Sequence, residues 1–510
     1  MGEANRSLVF AISFVCLSTV ACGGEVAPDS NVASSAATAT ASFLVSFESG
    51  VIPRNANALV QDAGGTIAAR YPNVGALLAR SSNASFAAAM RATSGVDAVG
   101  ASSIVHSAIS PKTVVTGGKP PHTTTPADGD PLSFRQWNMD QIHAPQAHAI
   151  TRGSSSVLVG FLDTGVDVTH PDLEGQVNAA ASVSCLGGVP NTSQAIWAND
   201  AFGHGTFTSS MVAAKNNGIG IVGVAPAVKL AMVKVVVDDF NDPNVGLVFA
   251  DAVVCGIEWG IAHNFDLLNA SLTIDPFTAP IDDIFCTNEP DRAAVVTIVR
   301  KAIRAAAARK LTVVASAGNS FMDLANLPGS TPGVDCYVLP IQLPRVIGVS
   351  AVGYTKELSW YSNYGFNAID LTAPGGDDLI PNPLVTDTTA SGQVLGALPE
   401  SSFFYQAAAD WDGQVQDCTS GTCAFYAYLE GTSAAAPQVT GVAALVISRF
   451  GKQEPDELAD RLIAGATPLA CPPSPYDPGG TGQPATCCGP PDNTNFYGAG
   501  EVDALAALQE

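Results

Sequence analysis

Basic residues are scarce in this chain of 510: Lys and Arg number 23 against 46 Asp and Glu, for a formal charge of −23. Such a surface repels polyphosphates and anionic headgroups, which excludes nucleic acid as a partner and gives no electrostatic hold on a membrane. Charge of either sign is sparse at 14% of residues, while 47% are hydrophobic. The chain is therefore core-forming, long enough for two or three domains, and not disordered. No apolar run approaches the roughly 20 residues of a membrane-spanning helix. No two cysteines stand in a C-x-x-C pair, which removes the usual zinc reading.

The N-terminus holds an apolar run at 8–15 behind Arg6, with Glu3 leaving the leading segment weakly basic at best. This has signal-peptide form. The stretch ending at Cys22 resembles a bacterial lipoprotein signal, in which that cysteine is lipidated and becomes the new N-terminus, although Thr19 stands where Leu is usual. Lipidation at Cys22 and plain secretion are both open, and either places the mature chain outside the cell or in its envelope. Past Cys22 nine cysteines remain, most in polar, loop-like segments. Disulfides in an oxidising compartment fit that placement, with Cys418 and Cys423 close enough for a small loop. The odd count leaves one unpaired, expected to be Cys255, which lies on an apolar helix face where a thiol can simply pack.

Between 41 and 105 the pattern predicts strand, helix, two strands, helix and strand, a small α+β unit of ferredoxin-like order. Residues 106–131, rich in Pro, Gly and Thr, read as a linker. Beyond it, short and nearly all-apolar runs recur at 156–162, 229–237, 267–272, 311–316, 346–352 and 368–373, with helical stretches between them. Strands buried on both faces look like this, so the fold class is α/β, a mostly parallel sheet with helices on both faces. Function in such sheets gathers at the carboxyl ends of the strands.

Polar residues stand at those ends. Asp163 follows the first run in Leu162-Asp163-Thr164-Gly165, where it either closes an Asx-type turn or orients a base. His204 lies between Gly203 and Gly205 at a helix start, either a satisfied polar residue or a base that other backbone can approach closely. Asn319 follows a strand in Ser316-Ala317-Gly318-Asn319, a turn-former or an amide donor to an oxyanion. Ser433, in Gly431-Thr432-Ser433-Ala434-Ala435-Ala436-Pro437, is an ordinary helix N-cap or a nucleophile; Pro437 suits a first helical turn. Together they supply orienter, base, oxyanion donor and nucleophile.

With those four, the stretches His170-Pro171-Asp172-Leu173, Val222-Gly223-Val224-Ala225-Pro226, Gln136-Trp137-Asn138-Met139-Asp140-Gln141-Ile142 and Tyr497-Gly498-Ala499-Gly500-Glu501-Val502-Asp503-Ala504 complete the pattern. Across about 136–504 the chain resembles the subtilisin-like serine proteases. The resemblance implies Ser433 as nucleophile, His204 as base, Asp163 as its orienter and Asn319 in the oxyanion hole. It implies Ser271, Leu272, Thr273, Ala317 and Gly318 as substrate-binding residues. It further implies a structural calcium held by the Asp172 carboxylate, the Asn217 side-chain oxygen and the carbonyls of Lys215, Ile219 and Ile221, with no catalytic cofactor.

The domains expected are a signal peptide at 1–21, a Ser/Ala-rich tether at 22–40, an inhibitory propeptide at 41–105, a linker with a processing site at 106–131, and a peptidase domain at 132–510 with inserts near 274–291 and 376–430. The partners expected are protein or peptide substrates and the chain's own propeptide, with a membrane reached only through a lipid anchor and the mature protein a monomer. Three departures stand out. Phe207-Thr208-Ser209-Ser210 replaces the family's His-Val-Ala-Gly, where repacking without chemical consequence is expected; Ala434 replaces Met; and Thr273-Ile274 replaces Gly-Gly, which predicts a narrower substrate pocket. A second Asp-Thr-Gly, which an aspartic protease needs, is absent. The remaining alternative is a catalytically silent surface module that uses the fold for binding.

Overall fold

The computed structural model describes residues 40–102, 106–107, 129–238, 246–274, 284–380, 392–480 and 482–509. The signal segment, the tether, Cys16 and Cys22 with its lipidation, most of the linker and parts of both inserts lie outside the described residues.

The first unit runs β1 (Ala41–Phe47), α1 (Ala56–Asp62), β2 (Gly65–Tyr71), β3 (Ala76–Ser81), α2 (Phe86–Arg91) and β4 (Val96–Ala101). Its sheet order is β2-β3-β1-β4 and every pairing is antiparallel. Strand side chains alternate between faces, and here each face has its own partner. Val45, Phe47, Leu77, Ala79 and Val99 pack with Phe86 and Met90 under the unit's own helices. Leu44, Ala76 and Leu78 face the opposite way and join the core of the larger unit. This unit is thus docked, not tethered.

The larger unit is built on β6 (Leu158–Asp163), β7 (Val183–Ser184), β8 (Lys229–Lys234), β11 (Leu267–Ala270), β12 (Thr312–Ser316), β13 (Val346–Val352) and β14 (Leu371–Pro374). They form one seven-stranded sheet, ordered β14-β13-β12-β11-β6-β8-β7, with every pairing parallel. All six apolar runs therefore supply a strand to this single sheet. Successive residues feed opposite cores: Val313 and Ala315 pack toward α4 (Ala250–Ala262) and α5 (Pro290–Ala307), whereas Val314 packs toward α6 (Thr432–Phe450). Helices on both faces explain why the runs are apolar throughout and not alternating.

Two smaller sheets flank this layer. A two-residue strand, β5 (His106–Ser107), pairs antiparallel with β10 (Gly246–Val248), which pairs in turn with β9 (Val236–Asp238). The linker reading of 106–131 missed β5. The second insert contributes β15 (Val394–Ala397), β16 (Gln414–Asp417) and β17 (Ala424–Leu429), an antiparallel sheet with β17 in the centre. It packs on α3 (His204–Ala213) and feeds directly into Ser433.

Among the described residues four disulfides are formed, Cys185–Cys255, Cys286–Cys336, Cys418–Cys423 and Cys471–Cys487. The small loop at 418–423 is as expected. The assignment of Cys255 as the unpaired thiol is wrong: Cys255 is buried and bridged to Cys185, and among the described residues the free thiol is the exposed Cys488. Apolar periodicity located a buried helix face correctly but carried no information on which residue lies across from it.

Candidate active site

Asp163 ends β6 and His204 begins α3, and the two side chains meet inside the molecule. His204 Nδ1 lies 2.6 Å from Asp163 Oδ1, and neither residue is more than 3% exposed. The same Asp163 oxygen accepts from the Thr164 N–H at 2.8 Å, and the other accepts from Thr208 Oγ1 at 2.9 Å. A buried carboxylate is tolerable when it is paired and hydrogen-bonded in this way.

Around this pair the backbone is cross-tied. Asp200 accepts from Gly203 N, Thr206 N and Thr206 Oγ1, three groups at the start of α3, and also from Thr164 Oγ1 in the Asp163 loop. Gly205 N donates to Thr164 Oγ1 at 2.8 Å. A Cβ on Gly205 would lie 2.0 Å from the Gly165 carbonyl, so only glycine lets the helix start approach this closely. Gly203 sits at φ 97°, a conformation other residues rarely adopt, and there turns the chain into the helix. The buried Lys234 ammonium donates to the carbonyls of Thr164 and Asn199, which joins the two loops from beneath.

Ser433 is the second residue of α6, half-buried, with its hydroxyl donating to the Ser271 carbonyl at 3.2 Å rather than to His204. Ser271 Oγ returns a bond to the Ser433 carbonyl at 3.0 Å, and Asn269, held by Thr440 of α6, donates to Ser271 Oγ. The end of β11 is thus locked to the start of the helix. Asn319 is exposed, but its carbonyl oxygen is held by Thr432 N at 2.9 Å and Thr432 Oγ1 at 2.8 Å. With that oxygen occupied, the carboxamide can offer only its Nδ2 hydrogens to a ligand. The helix start adds partial positive charge beside Ser433.

Ser271, Leu272 and Thr273 are buried and follow β11, and Ala317 and Gly318 follow the neighbouring parallel strand β12. A Cβ on Gly318 would lie 2.6 Å from Asn363 Nδ2 and 3.5 Å from Thr273 Cγ2, so the Asn363 carboxamide crowds this spot and the threonine methyl lies beside it at ordinary contact distance. The second insert closes in on His204, with the Phe404 ring centred 6.2 Å from the imidazole and the Phe202 ring packed on Phe403 and Phe404. His204 Nε2 is buried, without a hydrogen-bond partner among the described residues. The motif departures serve the insert too. Phe207 packs in its core, and Ser210 Oγ accepts from Ala397 N of β15.

The expected calcium residues also come together. Lys215 N donates to the Asp172 carbonyl and Ile221 N to Asp172 Oδ2, while Asn217 Oδ1 accepts from Ile219 N. Tyr426 Oη donates to Asp172 Oδ2 at 2.8 Å, and Asp172 Oδ1 is buried with no hydrogen-bond partner among the described residues. Burial pushes the Asp172 carboxyl up to about 7, and burial lowers the neighbouring His170 to about 4. Sequence reasoning missed Asp130 and Asp417, whose carboxylates accept from Gly218 N and Gly220 N of the same loop. Among the described residues no group of three His, Cys, Asp or Glu side chains is placed to hold a metal ion. A cation here would therefore rest on one carboxylate with carbonyl and carboxamide oxygens, a donor set that suits calcium.

Thr208, Asp200, Thr164 and Lys234 were also missed as parts of the site. Only Asp200 left a trace in the sequence, an acidic residue just ahead of a helix start, as a capping residue would be.

The sequence model of the subtilase family matches residues 154–500. Subtilisin NAT of Bacillus subtilis subsp. natto is 27% identical over 373 residues, covering 73% of this chain and 71% of that protein. Fervidolysin of Fervidobacterium pennivorans is 29% identical over 353 residues, covering 68% of this chain and 42% of that protein. Among solved structures, the epidermin leader peptide processing serine protease of Staphylococcus aureus superposes with a TM-score of 0.66 at 20% identity, covering 92% of this chain and 99% of that one.

Proposed function

The chain belongs to the subtilase family and is a serine endopeptidase, and on that premise we propose that Asp163, His204 and Ser433 form its catalytic triad, with Asn319 as oxyanion donor. The 2.6 Å contact between His204 Nδ1 and Asp163 carries the reading. Asp163 holds the imidazole in the tautomer with hydrogen on Nδ1, which leaves Nε2 as the base. Ser433 Oγ attacks the scissile carbonyl while His204 Nε2 takes its proton. The tetrahedral oxyanion is met by Asn319 Nδ2, the Ser433 N–H and the positive end of α6. His204 then protonates the leaving amine, and water releases the acyl group by the same steps in reverse order. Peptide is held by Ser271, Leu272, Thr273, Ala317 and Gly318.

The chain is made as a zymogen in which 41–105 is an intramolecular inhibitor cut from the peptidase within 106–131. Support comes from β5, where His106 and Ser107 lie antiparallel to Leu247 and Gly246 as an extended peptide would. The four disulfides fit an oxidising compartment, and export with lipidation at Cys22 is part of the same reading. A calcium ion at Asp172, Asn217 and the carbonyls of Lys215, Ile219 and Ile221 would fix the loop structurally and take no part in the chemistry. The test is Ser433→Ala: the variant should keep its melting temperature and lose peptide hydrolysis, and retained hydrolysis would remove Ser433 from the nucleophile's role.

A further inference from the structure

We propose that Thr208 is a positioning residue for the reaction, its hydroxyl clamping the Asp163 carboxylate in the orientation His204 requires. This rests on the triad reading above. Asp163 has two carboxylate oxygens with separate tasks. Oδ1 accepts from His204 Nδ1 and Thr164 N, whereas Oδ2 accepts from Thr208 Oγ1 at 2.9 Å. Among the described residues Thr208 is the only donor to Oδ2, and both residues are buried.

The hydroxyl has one hydrogen and two acceptors in reach, Asp163 Oδ2 at 2.9 Å and the Gly205 carbonyl at 3.3 Å. The charged acceptor at the shorter distance takes it. Thr208 lies one turn along α3 from His204, so a single helix carries both the base and the clamp on the base's orienter. A β-branched side chain in a helix has one or two χ1 rotamers available, so the donor is aimed before the carboxylate turns. Without it the carboxylate can rotate about its Cβ–Cγ bond, and the Nδ1 hydrogen bond loses its fixed acceptor.

The experiment compares Thr208→Val, which keeps shape and removes the donor, with Thr208→Ser, which restores it, against wild type and Ser433→Ala. A hydrogen bond to a charged group is worth about 1.5–3 kcal/mol, or roughly 10- to 100-fold in rate. Thr208→Val should lower kcat by that factor with KM within about twofold, and should shift the low-field NMR resonance of the His204 Nδ1 proton; Thr208→Ser should recover both. Unchanged kcat and an unmoved resonance in Thr208→Val overturn the inference even if its melting temperature falls, since a purely structural threonine gives that pattern. Thr208→Ala takes the place of the valine variant if the latter does not fold, with the same two outcomes. Wild-type turnover that survives Ser433→Ala overturns the triad reading and this inference with it, whereas turnover that depends on Ser433 but not on Thr208 overturns this inference alone.

Discussion

Glu258, buried on α4, grips Asn73 in the turn between β2 and β3: its carboxylate accepts from the Asn73 backbone N–H at 3.0 and 3.2 Å and from Asn73 Nδ2 at 2.8 Å. Val74 N adds a bond at 3.1 Å. Tyr71 donates to the Gly188 carbonyl at 2.6 Å nearby, and Lys301 pairs with Asp97 at the far end of the interface. Glu258→Ala should therefore speed release of the 41–105 unit after processing by about tenfold or more, as expected for the loss of charge-assisted bonds. The lag before full turnover reports it; an unchanged lag would separate this contact from inhibition.

Asn319→Ala should lower turnover by about 10²- to 10³-fold with little change in KM, because in the proposed role its amide acts on charge that develops only in the transition state. Steady-state kinetics on one peptide checks this. Equal turnover would take Asn319 out of the oxyanion hole.

The shape of the sheet was legible because burial on both faces leaves apolar runs that polar neighbours interrupt. The four candidate positions stood out in the sequence because each follows a strand or opens a helix. What was hidden lies across space. Cys255 looked like a packing thiol because nothing in its helix points to Cys185, which bridges it from 70 residues away. Nothing in the sequence showed the Thr208 hydrogen bond, because its acceptor, Asp163, lies 45 residues earlier. The two-residue β5 is too short to show any period and exists through β10.

In the proposed site, Thr273 narrows the substrate pocket where the family has glycine. Thr273→Gly should raise kcat/KM for a large aromatic residue before the scissile bond by about tenfold relative to alanine there, the scale expected when a filled pocket gains room. Profiling a mixed peptide library gives the ratio. A wild-type enzyme that already prefers large aromatics would contradict the narrow pocket.

Calcium should stabilise the protein more at pH 8 than at pH 5. In chelator, burial holds the Asp172 carboxyl at about 7 in the folded chain, above its ordinary value of 3.8. The folded state then binds the extra proton between those values, so this group's contribution falls as pH rises from about 4 to about 7. A bound cation accepts the ionised carboxylate and removes that loss. Melting temperatures with calcium and with chelator at the two pH values measure the difference; equal shifts, or none, would contradict the site.

The most direct test of the triad is a fluorophosphonate probe applied to the processed protein, with Ser433→Ala beside it and the label located by peptide mass. Labelling at Ser433 in the wild type and its loss in the variant is the expected result, since only an activated hydroxyl reacts. A folded protein, free of residues 41–105, whose Ser433 takes no label would contradict the proposed catalytic centre.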